Sequence, residues 1–75
     1  MSSGKMAKLV GMANQIGAAF ADQPAESAGA DAAAHIALFW TPKMIREIVA
    51  QEAEEANGLN PTARAAVEAL RRAAN

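Results

Sequence analysis

His35 is the only histidine in the sequence, and histidine is the side chain most typical of general acid–base catalysis near neutral pH. A general base also needs a group that orients it and a substrate pocket beside it, and a small helical chain offers neither in an obvious way. His35 lies in an alanine-rich stretch, directly before Ile36. We therefore predict no catalytic residue, and we expect His35 to pack or to contact a partner's backbone.

Three glutamates, Glu52, Glu54 and Glu55, come nearest to a metal-ligand cluster. Carboxylates without a histidine three or four residues away are more typical of a solvated helix face. The chain contains no cysteine, which excludes disulfides, thiolate nucleophiles and the usual ligands of iron–sulfur clusters. The glycines of the first twenty residues lack the spacing and the preceding strand of a phosphate-binding loop. We predict that this chain binds no metal and no cofactor.

Two polar amides, Asn14 and Gln15, interrupt the most amphipathic stretch of the chain. Two interpretations stay open: simple solvent exposure, or hydrogen bonds to the main chain of a partner. Trp40 can staple two helices together, and aromatic residues are also favoured as buried interface anchors, so we expect both roles. The predicted partner-interface residues are Asn14, Gln15, His35, Trp40 and Met44.

Apolar residues recur at helical spacing and predict four helices joined by short connections. The predicted inner face of the first helix consists of Met6, Leu9, Val10, Ala13, Ile16, Gly17 and Phe20. The predicted inner face of the fourth helix consists of Ala63, Ala66, Val67, Leu70 and Ala74. The first helix ends before Pro24, because proline restricts the preceding residue and cannot donate into a helix. The second, from about Glu26 to Trp40, is rich in alanine, which favours close packing against the first helix or a smooth face for another subunit. Its predicted inner stripe consists of Ala32, Ile36, Phe39 and Trp40.

Two pairs of a capping residue and a proline mark the starts of the remaining helices, at Thr41-Pro42 and Asn60-Pro61. Asn57-Gly58 is predicted to end the third helix, with glycine in the left-handed conformation. The predicted inner stripe of that helix consists of Met44, Ile45, Ile48, Val49 and Ala56. The sequence thus predicts an all-α fold, a small bundle of about four short helices with connections that contain proline and glycine.

The length of 75 residues allows one domain, and we expect residues 1–4 and 73–75 to be frayed. Alanine supplies more than half of the 52% apolar residues, so the core is thin and the chain is expected to complete its folding against a partner. The net charge is −1 without a basic cluster, which argues against nucleic acid. No apolar run has the length of a membrane span. We expect a mature, cytoplasmic chain without a membrane or nucleic-acid partner.

Four short blocks, spread from about Lys8 to Leu70, occur in an order and at separations that resemble a known family. Each block is common by itself, and the combination is specific. The family is the delta subunit of the soluble, NAD-dependent formate dehydrogenases that contain molybdenum or tungsten. The blocks are Met12-Ala13-Asn14-Gln15-Ile16, Ala34-His35-Ile36, Phe39-Trp40-Thr41-Pro42-Lys43-Met44 and Gly58-Leu59-Asn60-Pro61.

The resemblance implies a non-catalytic accessory subunit of a formate dehydrogenase complex. It implies that the partner is the large (alpha) catalytic subunit, whose assembly, cofactor insertion or stability this chain would support. The complex is implied to oxidise formate to carbon dioxide. Its bis-molybdopterin guanine dinucleotide, iron–sulfur clusters, FMN and NAD would all be bound by other subunits.

An alternative from another class is a small homo-oligomeric helical regulator, transcription-linked or antitoxin-like, whose apolar stripe closes on a second copy. This hypothesis predicts a discrete dimer in isolation. DNA contact would fall to the fourth helix, which carries Arg64, Arg71 and Arg72, although three arginines make a thin basic surface.

Overall fold

The computed structural model describes residues 3–54 and 57–74, and within them four helices and no strand are present. The helices are α1 (Ser3–Phe20), α2 (Ala25–Phe39), α3 (Pro42–Glu52) and α4 (Pro61–Ala74). The all-α prediction is confirmed. The helices include residues 3–4 and 73–74, and the fraying of these ends stays a prediction; residues 1, 2 and 75 lie outside the described residues.

Side-chain caps begin α3 and α4 where the sequence predicted them. The backbone N–H of Met44 donates to Thr41 Oγ1 at 3.2 Å, and the N–H of Ala63 donates to Asn60 Oδ1 at 2.8 Å. Pro42 and Pro61 occupy the first helical positions, where a missing N–H costs nothing. Both predicted cap and proline pairs are therefore confirmed.

The predicted end of α3 at Asn57-Gly58 is wrong, because the helix ends at Glu52. Asn57 folds back instead: its Nδ2 donates to the carbonyl oxygens of Glu52 at 3.0 Å and Glu54 at 3.2 Å. The side chain of Asn57 thus provides a hydrogen-bond donor for carbonyl groups at the end of α3, which have no partner within the helix. Gly58 has the left-handed φ of +78°, but it lies in the connection to α4 rather than at the helix end. Ala56, predicted for the inner stripe, lies outside the described residues.

The core lies between all four helices, with α4 in contact with each of the other three. Among the residues that the structure describes, three large side chains are fully buried, Ile36, Ile48 and Val67, and alanines supply much of the remaining core. Contact between α2 and α4 is the most extensive, and α2 also packs against α1, which is one of the two arrangements that its alanine-rich sequence predicted. A Cβ atom at Gly29 would lie 2.7 Å from the Cβ of Ala65, so the missing side chain sets this close approach.

Phe39 departs from its predicted place on the inner stripe of α2, since 70% of the residue is exposed. Trp40, which follows it, leaves the helical path with extended backbone angles and is buried in the core. The stripe is therefore completed by Trp40. Along α2 itself it consists of Ala28, Gly29, Ala32, Ala33 and Ile36.

The other predicted faces are confirmed with one exception. On α1, Leu9 and Ala13 are buried, and the remaining apolar residues of that face pack against the core. On α4, Ala74 is exposed rather than on the inner side. Across the described ranges, no helix has both the length and the apolar character required to cross a membrane.

Candidate functional site

Asn14 joins α1 to the connection before α4 through three hydrogen bonds. Its Nδ2 donates to the carbonyl oxygen of Gly58 at 2.9 Å, and its Oδ1 accepts from the backbone N–H of Asn60 at 2.8 Å. Asn60 Nδ2 returns a bond of 3.1 Å to the carbonyl oxygen of Asn14. We call Asn14, Gly58 and Asn60 the asparagine bracket. Simple solvent exposure is therefore the wrong interpretation of Asn14, which bonds the main chain of its own molecule.

The backbone of α1 lies directly against this bracket. A Cβ atom at Gly17 would lie 2.6 Å from Asn60 Oδ1 and 2.8 Å from the backbone nitrogen of Ala63. These are the two atoms that form the cap of α4. Glycine at this position thus lets α1 approach the first turn of α4 without displacing the capping bond.

Gln15 and Asn14 are neighbours in sequence with different environments. Gln15 is exposed on α1, whereas Asn14 is half-buried within the asparagine bracket. Gln15 therefore fits the solvent-exposure interpretation and is also accessible to a partner. The predicted role of both residues as partner contacts stays a prediction.

His35 lies between two phenylalanine rings. Its ring centroid is 6.2 Å from that of Phe20 in an edge-on arrangement and 4.7 Å from that of Phe39 in a tilted arrangement. The distances are typical of aromatic pairs that stabilise one another. His35 therefore packs between the end of α1 and the end of α2, as expected of a packing residue.

Trp40 and Met44, the two remaining predicted interface residues, belong to the core of this chain. Trp40 is 8% exposed, and Met44 is half-buried against the same core, as is Ile45. The expected packing role of Trp40 is thus supported by its burial. Its role as an anchor for a partner stays a prediction.

Within residues 3–54 and 57–74, the exposed large apolar residues are Leu38 and Phe39, at 79% and 70%. The sequence analysis singled out neither as an interface residue. The helical period could have identified Leu38, because two residues along a helix place it about 200° around the axis from the buried Ile36. Helical spacing does not identify Phe39 in the same way, because Phe39 lies at the edge of the buried face of α2. It is exposed because Trp40 fills the core at this end of the helix.

The acidic residues of α3 are partly engaged in ion pairs. Glu52, predicted to lie on a solvated face, instead has a side chain only 9% exposed, with Oε1 3.2 Å from Arg71 Nη2. Glu54 is exposed, as expected, and Glu55 lies outside the described residues. Arg71 and Arg72 both also contact Glu68 at 3.6 Å, so two of the three arginines proposed for DNA contact are paired within the chain.

Potential ligand atoms do not converge anywhere in the part of the chain that the structure describes. No group of three or more histidine, aspartate or glutamate side chains is arranged to hold a metal ion there. Because the sequence also lacks cysteine, its residues do not fit the iron–sulfur clusters or the metal of the complex that the resemblance implies. We therefore assign no catalytic step to this chain through those groups.

Comparison with known proteins identifies a family. The family model of the NADH-dependent formate dehydrogenase delta subunit, FdsD, matches residues 8–67. Neither the curated proteins nor the solved structures gave a match. The family match spans most of the 75 residues and includes all four blocks on which the resemblance was based. The chain therefore belongs to the FdsD family of NADH-dependent formate dehydrogenase delta subunits.

Proposed function

We propose that this chain is a non-catalytic accessory subunit that binds the large subunit of formate dehydrogenase and favours its cofactor-loaded form. The observation that carries the proposal is the family match over residues 8–67. The residues of the chain are consistent with a non-catalytic role, since the sequence has no cysteine and its single histidine packs between phenylalanine rings. That the cofactors are bound by other subunits, and that the complex is cytoplasmic, remain predictions.

The proposed mechanism is stabilisation by differential binding. A small subunit that binds one conformation of the large subunit more tightly than another shifts the equilibrium towards the first. At a free concentration of 100 times Kd, binding lowers the free energy of the bound state by about 2.7 kcal/mol. Such a shift raises the fraction of cofactor-loaded large subunit without any contribution to the chemical step.

The experiment is a tagged pull-down of the full chain from its native host, with metal analysis and formate-dependent NAD reduction measured on the eluate. We expect a large subunit that contains molybdenum or tungsten, together with the activity. In a host that lacks this chain, we expect less metal-loaded large subunit, while NAD reduction per bound metal atom changes by less than about twofold.

Two results would contradict the proposal in different ways. If no large subunit is recovered and the chain is a self-associated protein, the subunit assignment fails and a homo-oligomeric regulator is favoured. If the complex loads its metal normally without this chain but turns over far more slowly per metal atom, the chain takes part in turnover, and the accessory role is wrong.

A further inference from the structure

We propose that the corner between α2 and α3 docks into an apolar pocket bordered by carboxylates on the large subunit. The corner is defined by Leu38 and Phe39 at the end of α2 and by Lys43 and Arg46 at the start of α3. We call these four residues the α2–α3 corner. The inference rests on the proposed function and deepens it by naming the surface that binds.

The centre of the α2–α3 corner is apolar and projects from the chain. Leu38 and Phe39 keep 79% and 70% of their surface exposed, although aliphatic and aromatic residues of this size are usually buried. Both side chains extend from a regular helix, which fixes their backbone. Two projecting apolar side chains on a rigid element are suited to fill a concave pocket in a partner.

His35 holds Phe39 in place before any partner binds. The two ring centroids are 4.7 Å apart, and on its other side His35 contacts Phe20 at the end of α1. An anchor that is already positioned loses less side-chain entropy when it binds. His35 is thus a positioning residue for Phe39, which is consistent with its prediction as an interface residue.

Two exposed cations follow the apolar centre closely along the chain. Lys43 follows Phe39 by four residues, a chain length that spans at most about 14 Å, and Arg46 lies one helical turn further along. Within residues 3–54 and 57–74, neither cation is within 4.0 Å of a carboxylate. Glu47, the nearest acid in sequence, pairs with Lys5 at 3.2 Å. Positive charge within a few residues of the apolar centre favours a partner that carries negative charge around its pocket.

The same charges argue against a second copy of this chain as the occupant. A twofold dimer places the same surface on both sides, which would bring Lys43 and Arg46 close to their own copies. A standard interface also buries about 800 Å² of each partner, roughly a sixth of the 4745 Å² surface of this chain. Two projecting side chains that meet only their own copies fall short of that area, whereas a concave pocket of a larger protein can enclose them.

A lipid surface is also less well supported. Two cations attract an anionic membrane only weakly, and stable attachment requires a larger apolar face or a lipid anchor. The pocket of a protein partner instead surrounds the apolar side chains and the cations together. We therefore assign the α2–α3 corner to a protein.

The experiment compares tagged full-length variants, each produced in the native host in place of the natural chain. The readout is the amount of large subunit recovered per tagged chain, at low and at high salt. We expect Phe39→Ala to lower recovery at least about tenfold. The double charge reversal Lys43→Glu with Arg46→Glu should do the same at low salt.

The matched control is Lys8→Glu with Arg64→Glu, which makes the same change in net charge at two exposed cations outside the corner. Recovery with this control should stay within about twofold of the natural chain. The urea unfolding midpoint of every variant is measured as well, because all the substituted side chains are exposed and should leave stability nearly unchanged. The milder Lys43→Ala with Arg46→Ala should also make recovery less sensitive to salt.

The outcomes separate this inference from the proposed function. If the natural chain recovers the large subunit and the corner variants recover it equally well, the corner is not the docking surface, while the proposed function stands. If the natural chain recovers no large subunit, the proposed function is wrong, and the inference that rests on it is wrong as well. Concentration-dependent self-association that Phe39→Ala abolishes would assign the corner to a second copy. Binding to phosphatidylcholine–phosphatidylserine vesicles, lost in the same variant, would assign it to a membrane, and either result would overturn the inference.

Discussion

The asparagine bracket and the α2–α3 corner use their residues in opposite ways. In the bracket, the polar groups of Asn14 and Asn60 bond to backbone of the same chain, at 2.8–3.1 Å. At the corner, apolar side chains project outward, with Leu38 and Phe39 mostly exposed. The amides of Asn14 and Asn60 are thus satisfied within the chain, whereas the large apolar side chains at the corner lie mostly outside the core.

This difference teaches that residue type alone does not identify an interface in a chain this small. A polar residue on an amphipathic helix can complete the fold, and an apolar residue beside the core can be left outside it. The exposed position of each side chain, not its polarity, indicates what remains available to a partner. Substitutions in the bracket should therefore change stability, and substitutions at the corner should change association.

Trp40 and Phe39 give the sharpest contrast, because they are adjacent and both aromatic. Trp40 is 8% exposed, so Trp40→Ala should lower the free energy of unfolding by about 3–5 kcal/mol. Phe39 loses mainly its contact with His35, so Phe39→Ala should cost less than about 1 kcal/mol. Urea unfolding followed by circular dichroism measures both values.

Trp40→Ala could remove the whole free energy of unfolding, because small domains are only marginally stable. The variant would then be unfolded in buffer without urea. Loss of partner binding in this variant would follow from unfolding, so Phe39→Ala is the better test of the surface. Equal destabilisation by the two substitutions would show that Phe39 belongs to the core and would remove the distinction between the core and the α2–α3 corner.

Asn14→Ala tests whether the bracket stabilises the fold. The substitution removes two hydrogen bonds and leaves the half-buried N–H of Asn60 without its acceptor, so unfolding should become easier by about 2 kcal/mol. The control is Gln15→Ala on the neighbouring exposed position, which should change stability by less than about 0.5 kcal/mol. If both variants were equally stable, Asn14 would be free for a partner and the bracket would have no structural role.

Gly17→Ala tests the close approach of α1 to the cap of α4. The new methyl group would overlap the capping atoms, which should cost about 1–2 kcal/mol after the gain in helix propensity is subtracted. Gly11→Ala lies on the same helix with no atom within 4 Å of the new Cβ, so it should raise stability by about 0.5–1 kcal/mol. Opposite signs in thermal unfolding would confirm the contact, and a stabilising Gly17→Ala would contradict it.

Local rules predicted most of the fold. Thr41 and Asn60 each precede a proline, and both cap helices as expected, because capping depends only on neighbouring residues. The buried faces of α1, α3 and α4 also follow from helical spacing. The end of α3 was missed because Asn57 bonds back to carbonyl groups of the preceding turns, an arrangement that competes with a glycine-terminated helix.

The site was less predictable because it depends on contacts between distant segments. The bonds of Asn14 reach residues 44 and 46 positions away, which no local pattern records. Helical spacing does not distinguish Phe39 from Trp40, and the extended backbone of Trp40 beyond the end of α2 decides which of the two is buried. The family, in contrast, was predictable from four short blocks because their combination is specific even where their individual roles are unknown.

The position of α4 as the last of the four helices has a consequence for synthesis of the chain. This helix contacts α1, α2 and α3, and the bracket closes only when Asn60 is available to Asn14. A nascent chain that has emerged only as far as α3 therefore carries open apolar faces on three helices. Folding must wait for translation of α4 to finish, so the growing polypeptide is most exposed to aggregation and proteolysis just before that point.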